Sequence, residues 1–284
     1  MRYKKAYIYT FLAVLLWSFI PVISSLGGKS LGVEAFLLFS NLLSTIAVAP
    51  FVKFDKFNFN LRYIFFSFIL SLLGIFGYYL LLYYAYFLSN DAVTILIIQY
   101  LWPIFIALFS IFLLKEEINT KKILALLFGF VSAFLVISKG SFHFSFDFIS
   151  ISLAFIASIS FALYSVLSKK IASKNPANDI FIYFLIATLL SLSIFLYRGK
   201  SLHVSNFDIL YLLINGIFIN GISYLFWIWA LKDSEASKLS VFTLATPLLS
   251  ILWIYIFLGD EMRWIYLVSL ILTILSGFLA TEKK

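Results

Sequence analysis

Ten stretches of the 284-residue chain contain no Asp, Glu, Lys or Arg, and each runs for 16 to 28 residues. They are Ala6–Ser25, Ala35–Val52, Tyr63–Asn90, Ala92–Leu114, Ile123–Ser138, Phe148–Ser168, Ile180–Tyr197, Ile209–Leu231, Leu239–Leu258 and Trp264–Thr281. A helix that crosses a bilayer needs roughly 17–25 predominantly apolar residues. A helix facing water keeps one polar side instead. Strands of a membrane barrel would alternate apolar and polar residues, whereas these runs are apolar on all faces. Helices also satisfy their backbone polar groups within one segment, as lipid demands. The chain is therefore expected to be an all-α membrane protein with ten transmembrane helices.

Only 12% of the residues are charged, against about 25% in a typical globular protein. Nearly all of them fall between the ten stretches, which leaves no room for a separate nucleotide-binding or catalytic module. The net charge of +8 does not point to nucleic acid, because of where it lies. Sixteen of the 21 Lys and Arg residues fall on alternate loops together with the N-terminus, and five fall on the others. The positive-inside rule then places both termini in the cytoplasm of a cell (inner) membrane. Cysteine is absent, which excludes disulfides and thiolate chemistry. His143 and His203 lie on loops without carboxylate neighbours, so neither metal nor cofactor is expected. No hydrolase triad can be assembled. Gly28-Lys29-Ser30 resembles the end of a phosphate-binding loop, but Ile23 stands where its first glycine belongs. Met1–Ser25 has the basic and apolar parts of a leader peptide. Its apolar run is too long for one and holds Trp17 and Pro21, so it is expected to stay as the first span.

The second half repeats the first. Ala92, Pro103 and Glu116-Glu117 recur as Ala236, Pro247 and Asp260-Glu261 at a constant offset of 144. Trp17-Ser18 aligns with Tyr164-Ser165, and the aromatic run Tyr78 to Tyr86 with Tyr224 to Trp229. Two departures stand beside these matches. The first half carries one extra residue before Ala92, and Gly259 precedes its acidic pair where Lys115 precedes the other. Five spans per half is an odd number, so the second half must enter the membrane upside down. The expected units are residues 1–144 and 145–284. Inverted repeats are a recurrent plan of secondary transporters, with the substrate near mid-bilayer between the halves.

With Leu16-Trp17-Ser18, Ala162 to Ser165, the span-four and span-nine prolines and the closing Glu116 and Glu261, the chain resembles the drug/metabolite transporter superfamily, EamA-type. The likeness covers essentially the whole chain. Tyr100-Leu101-Trp102-Pro103 is similar to a tetrad of aromatic amino-acid exporters in that superfamily. The resemblance implies a small-molecule carrier, monomeric or weakly dimeric, whose cavity is lined by spans that include Trp17, Tyr79, Tyr83 and Tyr164.

Pro103 and Pro247 each free a carbonyl four residues back, on Gln99 and Thr243. Such a carbonyl can accept a hydrogen bond from substrate, and the bend can serve as a hinge. Pro21 acts likewise on Trp17. Each proline is otherwise a packing kink. Gln99 lies about 40° from Pro103 and about 60° from Trp102 around a helix, so the three share a face. An amide there either glues helices together or grips a zwitterion. Asn220, Tyr224 and Trp227 fall at i, i+4 and i+7, as do Tyr79, Tyr83 and Tyr86. Their rings can stack on an aromatic or cationic ligand, or simply pack. No Asp or Glu lies deep in a span, where coupling carboxylates usually sit. The acidic pairs at the span ends are expected to anchor helices by meeting Lys121, Lys122 or Arg263, with a role as gates the less favoured alternative.

The expected function is secondary transport by alternating access, with export of aromatic or bulky apolar amino acids. Broad efflux of drugs or lipophilic cations is the nearer alternative, and a non-transporting scaffold or lipid-modifying protein the farther one.

Overall fold

The computed structural model describes residues 2–20, 22–23, 31–57, 60–89, 92–141, 147–171, 175–198, 204–259 and 263–281. It is helical throughout, with no strand among the described residues. The helices are α1 (Arg2–Trp17), α2 (Val33–Val48), α3 (Leu61–Leu88), α4 (Ala92–Gln99 and Trp102–Leu114), α5 (Thr120–Ser138) and α6 (Phe148–Ile171). After these come α7 (Pro176–Arg198), α8 (Asn206–Asp233), α9 (Ala236–Thr243 and Thr246–Leu258) and α10 (Ile265–Thr281). Among the described residues eight of these, α2 (running on to Phe51) through α9, are long and apolar enough to cross a bilayer. The expectation of ten is met only in part. Helix α1 stops at Trp17, with a turn at Ser18-Phe19 just before Pro21, which lies outside the described residues. Helix α10 is 17 residues long.

Two irregularities recur in matching helices. Both α4 and α9 break for two residues, Tyr100-Leu101 and Leu244-Ala245, and restart with proline as the second residue of the new piece. The cause is local, because proline lacks the amide proton that would continue the ladder. Both second pieces then end in a left-handed residue, Lys115 at φ 57° and Gly259 at φ 68°. The two corners that differ in residue type thus share one backbone conformation. The second irregularity is a wide π turn at Leu72–Phe76 in α3 and Ile214–Ile222 in α8. Nothing in composition announces it.

Packing follows the same exchange of halves. Helix α1 lies on α8 and α9, as α6 lies on α3 and α4. Helix α2 lies on α8 as α7 lies on α3, while α2–α7, α4–α9 and α5–α10 pair directly. Large apolar side chains such as Phe65, Phe112, Leu196 and Phe278 point outward, where lipid would cover them. The interior is full of small polar residues instead. Ser44 Oγ donates to the Gly216 carbonyl at 2.8 Å, Ser71 Oγ to the Tyr183 carbonyl at 2.7 Å, and Asn41 Nδ2 to Ser191 Oγ at 2.9 Å. Small residues let membrane helices approach closely, and hydroxyls bond across the gap. Gly74 marks the closest approach, since a Cβ there would lie 2.0 Å from Tyr164 Cγ.

Candidate functional site

The helices leave a narrow hollow where the two breaks meet. It is lined by Trp17, Ile20, Tyr78, Tyr79, Gln99, Tyr100, Trp102, Phe161, Tyr224 and Thr246. The break in α4 contributes Gln99, Tyr100 and Trp102. The break in α9 contributes Thr246, which stands at the same repeat position as Trp102. None of the lining residues is charged. The hollow measures about 40 Å³, room for only a few waters.

Its walls are rings set edge to face. Trp17 packs against Trp102, Phe161, Tyr224 and Trp227 with centroids 5.6–6.4 Å apart. Trp102 meets Phe161 at 5.0 Å, and Tyr78 meets Tyr79 and Phe161 at 4.8 Å each. Hydroxyls hold the indoles in place: Trp17 Nε1 donates to Ser223 Oγ at 2.8 Å and Trp227 Nε1 to Ser165 Oγ at 3.1 Å. The polar feature is the Gln99 amide. Its Nε2 donates to Tyr78 Oη at 2.8 Å, and its Oε1 accepts from Tyr86 Oη at 3.1 Å. Tyr78, having accepted that bond, keeps its own hydroxyl proton to offer a ligand.

Of the residues singled out from the sequence, Trp17, Tyr79, Gln99, Trp102 and Tyr224 line the hollow. Tyr83 stands behind Tyr79, with centroids 5.5 Å apart, and against Phe36 at 5.6 Å. Trp227 backs onto Trp17 and Trp102. Tyr164 is buried beneath Gly74 with no partner for its hydroxyl among the described residues. Asn220 lies inside the π turn of α8, which breaks its i, i+4, i+7 register with Tyr224 and Trp227, and its buried Oδ1 is unpartnered among the described residues. Pro103 and Pro247 are buried at the breaks.

Two expectations need correction. The Thr243 carbonyl freed by Pro247 is taken up locally, accepting from Thr246 Oγ1 at 2.6 Å, and Thr243 does not line the hollow. Glu116 makes its ion pair across the two halves rather than with Lys122. It reaches Lys169 at 2.8 Å, across to α6, while Lys122 pairs with Glu235 at 2.5 Å. The second acidic pair, Asp260-Glu261, lies outside the described residues. Burial alone would push the Glu116 carboxyl up, but the Lys169 ammonium and the bonds from Ser237 outweigh it and hold it below its usual range.

Sequence reasoning missed Ile20, Tyr78, Tyr100, Phe161 and Thr246. Tyr100 opens the tetrad that drew attention to Trp102. Thr246 could have been found from it, being Trp102 plus the repeat offset of 144. Tyr78 stands one residue before Tyr79 and so falls outside the i, i+4, i+7 set of Tyr79, Tyr83 and Tyr86.

Comparison with known proteins identifies this arrangement. The model of the EamA-like transporter family matches residues 4–138 and again 148–281. The chain belongs to the EamA-like transporter family. Such a family is one of two repeats, and its members are membrane transporters rather than enzymes, as this chain is. Among relatives, the uncharacterized transporter YyaM of Bacillus subtilis is 25% identical over 75% of this chain and 72% of its own length. An uncharacterized transporter of Archaeoglobus fulgidus is 27% identical over 75% of this chain and 76% of its own. The aromatic amino acid exporter YddG of Ancylobacter novellus is 28% identical over 63% of each chain. One solved crystal structure superposes with a TM-score of 0.84 over 98% of this chain and 96% of its own, at 22% identity, which speaks to fold alone.

Proposed function

We propose that this EamA-like protein is a secondary carrier that exports aromatic or bulky apolar amino acids by alternating access. In this reading α1 to α10 all cross the membrane, as two inverted five-helix units, residues 1–144 and 145–284, with both termini in the cytoplasm. Support for the inversion comes from the end of α4 meeting the start of α9, so that matching helices run in opposite senses. The observation that carries the cargo reading is the hollow itself: an uncharged cage of rings that includes the Gln99 amide and the Tyr78 hydroxyl. Rings stack on an aromatic side chain, while the Tyr78 hydroxyl and the Gln99 amide supply bonds for a carboxylate or ammonium. The relative named an aromatic amino acid exporter adds to this reading.

The hollow in this state is too small for such a cargo, so the halves must part. The breaks beside Pro103 and Pro247 supply the bending points, because their backbone ladders are already interrupted; Pro21 is the third candidate hinge. A fixed site exposed by rocking halves needs no intramembrane carboxylate, so movement down a gradient is the simplest mechanism. The same ring cage suits lipophilic cations through cation–π contacts, which is the rival worth testing. Purified protein in liposomes, loaded with tryptophan, alanine or a quaternary ammonium dye, separates the two. Saturable tryptophan efflux supports the amino-acid reading. Dye efflux with no tryptophan movement replaces it with the cation reading.

A further inference from the structure

We propose that Glu116 and Lys169 form a latch that holds the hollow shut at the end of the bundle where α4 terminates, and that it opens and recloses in each transport cycle. This rests on the carrier reading above. The Glu116 carboxylate gathers four bonds: from Lys169 Nζ at 2.8 Å, Ala236 N at 2.9 Å, Ser237 N at 3.0 Å and Ser237 Oγ at 2.7 Å. Every donor belongs to the second half. The carboxylate thus caps the start of α9, a job usually done by a residue of the same helix. Lys169 also donates to the Ser234 carbonyl at 2.5 Å, fastening the end of α6 to the same corner. Beside it, Lys122 bonds Glu235 at 2.5 Å and the Glu117 carbonyl at 2.6 Å, and Lys238 bonds Glu235 at 2.8 Å.

Position gives the knot its role. The second piece of α4 packs along the first piece of α9. Both pieces start or end at the breaks that line the hollow, and both meet the latch at their far tips. A passage that opens between these two pieces pulls Glu116 from its three donors on α9, Ala236 N, Ser237 N and Ser237 Oγ, and strains the link through Lys169 of α6, which is itself bonded to Ser234. At the other end of the bundle the two halves are joined by Glu34, Tyr84 and Arg198. There Tyr84 Oη donates to Glu34 at 2.7 Å, and Arg198 Nε stands 3.5 Å from it. Arg198 is 51% and Glu34 4% exposed, against 21% for Lys169 and 8% for Glu116. Among the described residues the Glu116 carboxylate makes four cross-half bonds, against the two that Arg198 makes to Glu34 and Tyr84.

The chain has no native cysteine, so one introduced thiol reports without background. Ser240, buried in the first piece of α9 between latch and hollow, is changed to Cys. Labelling by a membrane-impermeant maleimide is then timed from the latch side of sealed vesicles. Glu116→Gln keeps the size of the side chain and removes its charge. It is expected to speed labelling at least about tenfold, the shift that goes with losing charge-assisted bonds. Lys169→Met, which leaves the cap intact, is expected to speed it less. Unchanged labelling in both variants overturns the latch. Tryptophan efflux by the Ser240→Cys protein, measured in parallel, keeps the two ideas apart. Efflux with unchanged labelling removes the latch and spares the carrier; faster labelling without tryptophan efflux supports the latch and removes only that cargo.

Discussion

Gln99 is gripped from both sides, by Tyr78 and Tyr86, and this decides how its substitution should behave. Gln99→Leu leaves the buried Tyr78 and the half-buried Tyr86 without their partner, at about 1–3 kcal/mol for a stranded buried group. The variant is expected to lose stability, seen as a lower thermal midpoint in detergent, as well as efflux. Tyr78→Phe is the milder probe, because it keeps the ring, removes the proton offered to cargo and strands a single donor, Gln99 Nε2. Loss of a bond made equally to bound and moving cargo raises KM and leaves kcat near its native value. An unchanged KM would show that the hydroxyl does not face cargo. The charged residues set a pH expectation. Glu116 and Glu235 are both held below their ordinary carboxylate range, by Lys169 and Ser237 in one case and by Lys122 and Lys238 in the other. A carboxylate with a depressed pKa contributes its stabilisation above the unfolded value and loses it as pH falls through the folded one. The ion pairs are therefore complete across pH 6–8. Stability measured by thermal melts should be flat there and fall only below pH 4.5, the ordinary value for Glu.

At the scale of the helix, proline made two breaks legible and the offset of 144 made them a pair. The matching left-handed ends at Lys115 and Gly259 were not legible, because the conformation is shared while the residue is not. A side chain in that conformation carries strain that glycine avoids. Lys115→Gly should therefore stabilise the protein, by up to about 1 kcal/mol after the added chain entropy of glycine is set against it. A higher thermal midpoint checks this. The π turns were hidden for a different reason. One extra residue in a turn leaves the apolar pattern intact and only rotates the rest of the helix, and Asn220, inside such a turn, loses the regular i, i+4 spacing to Tyr224. Gly74, in the π turn of α3, gives the opposite stability test. Its added methyl would meet Tyr164 at 2.0 Å, and over-packing of this kind costs about 1–3 kcal/mol. Gly74→Ala should lower the thermal midpoint, whereas Gly259→Ala, with open space around it, should cost only backbone strain.

For the molecule as a whole, uninterrupted apolar runs and the internal repeat carried most of the architecture. Runs without charge indicate spans whatever their tertiary partners, and a repeat indicates matching packing. The cross-half ion pairs could not be read this way. Glu116 lies six residues from Lys122 but 53 from Lys169 in sequence, and only the fold decides which of them it meets. Everything proposed about transport depends on the second half being the first half turned over, so that a site between them faces each side in turn. Asp55, in the loop before α3, and Val204, in the matching loop before α8, are both exposed. Each can be changed to Cys in this cysteine-free chain and treated with an impermeant maleimide in vesicles of known orientation. The account predicts that the two positions label from opposite faces of the membrane, position 55 from the cytoplasmic one. Labelling of both from the same face would contradict it.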